Sequence, residues 1–317
     1  MGDGLEQTIA VLNGLVGDYL VRQGNGLATE MGCYLDGRRV RLTAGGLRGA
    51  YPEAGPRLAV FVHGVMCTET IWRFPDGSDC GQKLRDDLGI TPVYLRYNSG
   101  QAIADNGAEL DRLLETLVSA WPTPVQELIP VGYSMGGLLV RSACHHASQR
   151  GADWVKRVRR AIYVGTPHLG TPAERFGRLA AKLLRAVPDP YTRLVAEVGD
   201  LRSAGVKDLG DADLRHEDRA SLRGRLSLSD PRHPVPLLPG IEHALVAGSL
   251  SVDPRIAALF GDAIVPVRSA TARGMIEPAP ELPPDRLRVV RGVSHVDLPR
   301  HPEVWEFIRR CCEEASR

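Results

Sequence analysis

The sequence predicts an α/β fold: a doubly wound, mostly parallel sheet with helices on both faces and a helical cap inserted late in the chain. Three observations predict it. From residue 58 to residue 164, short β-branched apolar runs alternate with segments whose apolar residues recur at helical spacing. The first of these runs, Leu58 to Val62, is apolar at every position, as a strand covered on both faces must be. The alternation then breaks from His168 to about Gly240 and resumes afterwards, the pattern of a segment inserted between two strands of one sheet.

At 317 residues the chain is long enough for one large domain with an insertion and has ample material for a core. A formal net charge of +1 gives no reason to expect a nucleic acid or acidic polymer as partner. No apolar run approaches the length that spans a bilayer, and the first residues lack the basic and apolar regions of a secretory signal. Six cysteines without a Cys-x-x-Cys pair suit reduced thiols in the cytoplasm, with a mature secreted form as the alternative.

In chain order, Leu5 to Leu20 carries an apolar stripe at helical spacing, a helix packed on the main domain. Met31 to Leu35 and Arg38 to Leu42, joined by Asp36-Gly37, read as a hairpin at the sheet edge. Residues 43–57 are rich in Gly, Ala and Pro and read as a loop, so that 1–57 form an N-terminal helix and hairpin packed on a domain of 58–317. Strands are expected at 58–62, 92–97, 128–131, 159–164, 243–246 and 287–290, and helices at 81–88, 102–121, 135–147 and from about 302. Inside the insertion, Thr171-Pro172-Ala173-Glu174 is a capping box with proline at the first helical position. It opens a helix whose apolar face is Phe176, Leu179, Leu183, Leu184 and Val187, and residues 168–240 are read as a cap over the mouth of the site.

The chemistry centres on Gly132-Tyr133-Ser134-Met135-Gly136-Gly137. A serine on a sharp strand-to-helix turn needs glycine two positions to either side, where the backbones approach. Leu128 to Val131 supplies the strand and Met135 to Ala147 the helix, in the required order. The bland alternative is an ordinary glycine turn between core elements. A serine hydroxyl is a poor nucleophile until a base takes its proton, and the base needs a carboxylate to hold its useful tautomer. In hydrolases with this turn the order is serine, acid, histidine. His295 follows the last expected strand and Asp262 lies between, with Asp253 and Asp297 as alternative acids. His145 and His146 sit too far along the helix to reach back. The backbone N–H groups of Met135 and Val65 are the expected donors to an oxyanion, and His63, Gly64, His168 and Leu169 are candidate substrate contacts, His168, which precedes any acid, being read also as a structural or lid-hinge residue.

Five stretches together resemble the lipase and esterase branch of the α/β-hydrolase superfamily: Phe61-Val62-His63-Gly64 with Trp72 downstream, Gly132 to Gly137, Gly165 to Thr171, Gly261-Asp262 to Val265-Pro266, and Gly292 to His295. The likeness is to bacterial triacylglycerol lipases and inositol-deacylase-like hydrolases and covers roughly residues 58–310. It implies catalytic Ser134, Asp262 and His295, oxyanion amides at Val65 and Met135, and no organic cofactor. No metal-ligand cluster is legible. The expected activity is hydrolysis of carboxylic esters of hydrophobic, lipid-like acyl groups through an acyl-enzyme. The alternatives are an acyltransferase using the same intermediate and a non-catalytic binding protein on the same scaffold.

Overall fold

The computed structural model describes residues 3–172, 203–215, 235–251, 261–273 and 282–313. The strands among them are β1 (Gly32–Leu35), β2 (Arg38–Arg39), β3 (Arg57–Val62), β4 (Thr91–Arg96), β5 (Glu127–Tyr133), β6 (Arg160–Val164), β7 (Glu242–Ser249) and β8 (Leu287–Arg291). They form one sheet in the order β2-β1-β4-β3-β5-β6-β7-β8. From β4 to β8 every pairing is parallel, and β1 pairs antiparallel with β2 and β4. The hairpin turns through Asp36 (φ 50°) and Gly37 (φ 71°), the two left-handed residues a type I′ turn requires. Its second arm is shorter than the expected 38–42.

The helices are α1 (Asp3–Arg22), α2 (Ala44–Ala50), α3 (Cys80–Leu88), α4 (Ile103–Ala120), α5 (Met135–Arg150), α6 (Ala204–Asp211), α7 (Val267–Ala270) and α8 (Pro302–Glu313). Side chains alternate across β3 as a strand's period of two demands: Leu58, Val60 and Val62 enter a core shared with α1, α4 and α5. Ala59 and Phe61 point the other way, into a core with Leu84 of α3 and Phe307 of α8. Local chemistry sets the helix ends. Asp79 accepts from the N–H groups of Gly81 (2.9 Å) and Gln82 (3.2 Å) to start α3, and Gly89 (φ 65°) ends it in the left-handed region.

One expectation is corrected. Residues 44–50 form α2 rather than loop, because Thr43 caps the helix by accepting from Gly46 N–H at 3.2 Å and Leu47 is fully buried. The apolar stripe of the expected cap helix at 175–187 lies outside the described residues. Within the stretch expected to form the cap, α6 is packed on α1 and α4, with Ser203 Oγ donating to Gly14 O (2.7 Å) and Asp208 Oδ2 accepting from Ile103 N–H (2.9 Å).

The sheet reverses its winding at β3, since β4 lies to one side and β5 to the other. At such a switch point the loops leaving the carboxyl ends part and open a crevice. The loops after β3 and β5 meet there.

Candidate active site

Ser134 stands between β5 and α5 with φ 52° and ψ −123°, a backbone conformation that L-residues avoid. Its neighbours on the turn explain how the chain accepts it. A Cβ on Gly132 would lie 2.5 Å from Gly137 Cα, and one on Gly136 would lie 2.4 Å from the carbonyl oxygens of Val62 and His63. Only glycine lets α5 start so close to β3. The turn is held by Ser134 N–H donating to Val164 O at 2.9 Å on β6.

The three side chains named by order along the chain meet in space. His295 Nε2 is 2.9 Å from Ser134 Oγ, and His295 Nδ1 is 2.7 Å from Asp262 Oδ2. The other carboxylate oxygen of Asp262 accepts from the N–H groups of Ile264 (3.1 Å) and Val265 (2.8 Å). That leaves Oδ2 facing the imidazole, and Asp262 itself is fully buried. His295 is held from its backbone as well: its N–H donates to Asp262 O at 3.1 Å and its carbonyl accepts from Tyr133 Oη at 2.9 Å. The alternative acid Asp297 is exposed and accepts instead from Ser294 Oγ at 2.6 Å. Asp253 lies outside the described residues.

With Asp262 accepting at Nδ1–H, the lone pair of His295 is at Nε2, where it can take the Ser134 proton. Ser134 (4% exposed) borders a cavity of about 320 Å³. Its walls include Val65, Met66, Ile71, Leu209, Ile264, Val265 and Val296, with Gln7, Thr68, Thr70, Thr171 and Arg300 adding polar groups. Met135, as the first residue of α5, has an N–H with no intrahelical acceptor. The loop carrying Val65 is braced at the next residue: buried Met66 (φ 60°) donates its N–H to Ser99 Oγ at 3.0 Å, and its carbonyl accepts from Gln7 Nε2 of α1 at 2.9 Å.

Four residues expected near substrate stand outside this lining. His63 is fully buried and stacked on Tyr97 at 4.4 Å, with Nδ1 donating to Gly64 O (2.7 Å) and Nε2 accepting from Tyr97 N–H (3.3 Å). Burial holds its pKa down, at about 4. Gly64 lies behind Ser134, against the Tyr133 ring. His168 is buried against Tyr163 of β6, where Nη1 of Arg141 donates to its Nδ1 (3.2 Å) and to its carbonyl (3.4 Å). Burial and the neighbouring guanidinium keep that histidine's pKa well below the usual range. Nη2 of the same arginine donates to Val235 O at 2.5 Å. Leu169 is partly exposed beside Ser269, whose Oγ accepts its N–H at 3.1 Å.

Sequence reasoning missed Gln7, Leu209, Arg300 and the Tyr133 hydroxyl. Tyr133 was visible as the variable residue before the serine, and Arg300 as a cation five positions after His295. Gln7 and Leu209 come from remote elements and left no local signal.

All six cysteines are free thiols, Cys67 and Cys80 included. Among the described residues no cluster of histidine, cysteine and carboxylate side chains is arranged to hold a metal, and no helix is long and apolar enough to cross a membrane.

Neither a protein-family model nor a curated protein matches the chain. Solved structures do. The mature form of a lipase from Bacillus licheniformis superposes with a TM-score of 0.50 at 18% identity, over 82% of this chain and 93% of that one. RedJ, solved with a polyethylene glycol molecule in its active site, gives 0.49 at 17% identity over 83% and 95% of the two chains. An esterase of Pyrococcus furiosus gives 0.45 at 13% identity over 81% and 82%. At such identities the likeness is one of fold, and with the sheet order and the connections above it defines the class: the chain has the α/β-hydrolase fold.

Proposed function

We propose that this protein hydrolyses carboxylic esters through an acyl-enzyme formed on Ser134. The observation that carries the reading is the continuous relay from Asp262 Oδ2 through the His295 ring to Ser134 Oγ, at 2.7 and 2.9 Å, on the wall of a mostly apolar cavity. In the first step Ser134 Oγ attacks the ester carbonyl as His295 Nε2 takes its proton. Asp262 steadies the imidazolium. The N–H groups of Val65 and Met135 receive the oxyanion, each donor contributing about 3 kcal/mol to the transition state. His295 then protonates the departing alcohol, and water enters by the same base to release the acid.

The apolar walls favour a hydrophobic acyl group, and residues 168–240 are read as the cap above it, Thr171 and, on α6, Leu209 being its described contributions to the lining. The test is hydrolysis of p-nitrophenyl esters from acetate to palmitate by wild type and Ser134→Ala. Activity abolished by the substitution is the expected result, with the chain-length optimum reporting acyl preference. Wild-type inactivity on the whole series, or full activity in Ser134→Ala, would overturn the reading.

A further inference from the structure

Among the described residues lining the cavity, Arg300 alone carries a permanent charge. Its guanidinium offers five N–H donors. The one partner it meets among the described residues is Asp297 Oδ1, at 3.7 Å, with the arginine side chain 33% and the aspartate 64% exposed. A pair that long and that wet contributes little. The arginine lines the same cavity as the proposed nucleophile Ser134 and the base His295.

Other groups make this end of the cavity polar. The turn Leu298–Arg300 packs against the turn Glu69–Trp72, which carries Thr70. Thr70 Oγ1 lies 2.8 Å from Thr68 Oγ1, and both residues line the cavity. The carboxylate on that turn does not neutralise the arginine, because Glu69 is held by Arg96 at 2.7 and 2.5 Å. A forked cation whose one ion pair among the described residues is long and wet, in a cavity walled mainly by apolar groups, is matched by an oxyanion on the ligand.

We propose that Arg300, with Thr70 beside it, forms an anion subsite, and that the substrate is an ester bearing a carboxylate or phosphate at the end remote from its apolar part. The proposal rests on the ester-hydrolase reading and narrows its substrate class.

Two matched pairs of esters test it, each followed by pH-stat. Monoethyl adipate against ethyl hexanoate adds a carboxylate to the acyl half; 3-butyryloxypropyl phosphate against 3-butyryloxypropanol adds a phosphate to the alcohol half. In wild type, kcat/KM should be about tenfold or more higher for the charged member of one pair, and that pair identifies the source of the anion. In Arg300→Gln the ratio should collapse to below about threefold, while Arg300→Lys, which keeps the charge without the fork, retains part of it. No preference for either charged ester in wild type, or a preference that survives Arg300→Gln, overturns the subsite and leaves the hydrolase reading standing. If no ester is cleaved, calorimetric titration with hexyl phosphate and hexanoate decides separately. Binding lost in Arg300→Gln keeps the subsite and discards the hydrolase, and absence of binding in wild type discards both.

Discussion

Asp262→Asn changes one atom of the relay, and the structure dictates which way the new amide must face. Two backbone donors, from Ile264 (3.1 Å) and Val265 (2.8 Å), converge on Oδ1. An amide NH₂ there would meet both of them, so the asparagine oxygen takes that place and its NH₂ takes the place of Oδ2, 2.7 Å from His295 Nδ1. A donor facing Nδ1 requires a lone pair on Nδ1, which moves the ring proton to Nε2. At 2.9 Å from Nε2, Ser134 Oγ then faces a donor and has no base. A histidine trapped in the wrong tautomer lowers turnover by about 10⁴-fold, roughly 5 kcal/mol on the barrier. The fold should hardly notice, since both backbone donors keep their acceptor. Asp262→Ala, by contrast, strands both in a fully buried site and should destabilise by about 1–3 kcal/mol for each. Turnover of p-nitrophenyl butyrate and thermal melting, measured together on both variants, check the argument. Turnover in Asp262→Asn within about tenfold of wild type, at unchanged melting temperature, would refute it and pass the acid's role to another residue.

Two further outcomes follow from the same geometry. Gly64→Ala would set a Cβ 3.0 Å from Tyr133 Cε1 and 3.1 Å from Ser134 Cβ, and Tyr133 cannot yield freely because its hydroxyl is bonded to His295 O. Ester turnover should fall about tenfold or more with the fold retained, and wild-type turnover would show that the neighbours relax without consequence. Stability should also decline in acid. With the folded-state pKa of His63 at about 4 and the unfolded value near 6.5, the unfolded chain takes up the proton first as pH falls. The stability is therefore complete above about pH 6.5 and is lost between 6.5 and 4, on the order of 3 kcal/mol from His63. Buried His168 and His243, both shifted down, act in the same direction. Denaturant midpoints measured between pH 7 and 4 read this, and a flat profile would contradict the burial of neutral imidazoles.

The sheet was legible because parallel strands covered on both faces become unbroken apolar runs, and their order along the chain placed each following loop at one edge. That is why Ser134, Asp262 and His295 were identifiable as a set although they lie far apart in sequence. What escaped was set by tertiary contact. Ala44-Gly45-Gly46-Leu47-Arg48-Gly49-Ala50 has a poor helical composition, and only Thr43's cap and the burial of Leu47 make it a helix. His63 lies on the expected loop, but its ring turns inward to a buried acceptor and a buried donor, which no spacing rule reports. Gln7 enters the cavity because α1 crosses the carboxyl edge of the sheet, where a Cβ on Gly14 would meet Met66 Cγ at 2.3 Å.

Arg141, buried on the helix that begins at the proposed nucleophile, holds both His168 O and Val235 O in one guanidinium fork. The chain therefore leaves the sheet and returns to it at what is mechanically a single anchored point. Between those two positions the described chain is tied again to the same helix, Ser142 Oγ donating to Leu214 O at 2.9 Å, and to α1 and α4 through Ser203 and Asp208. A graft on this scaffold therefore has to keep more than the two carbonyls that Arg141 clasps: the fork fixes where the chain departs and returns, and these other ties fix how what lies between reaches the cavity.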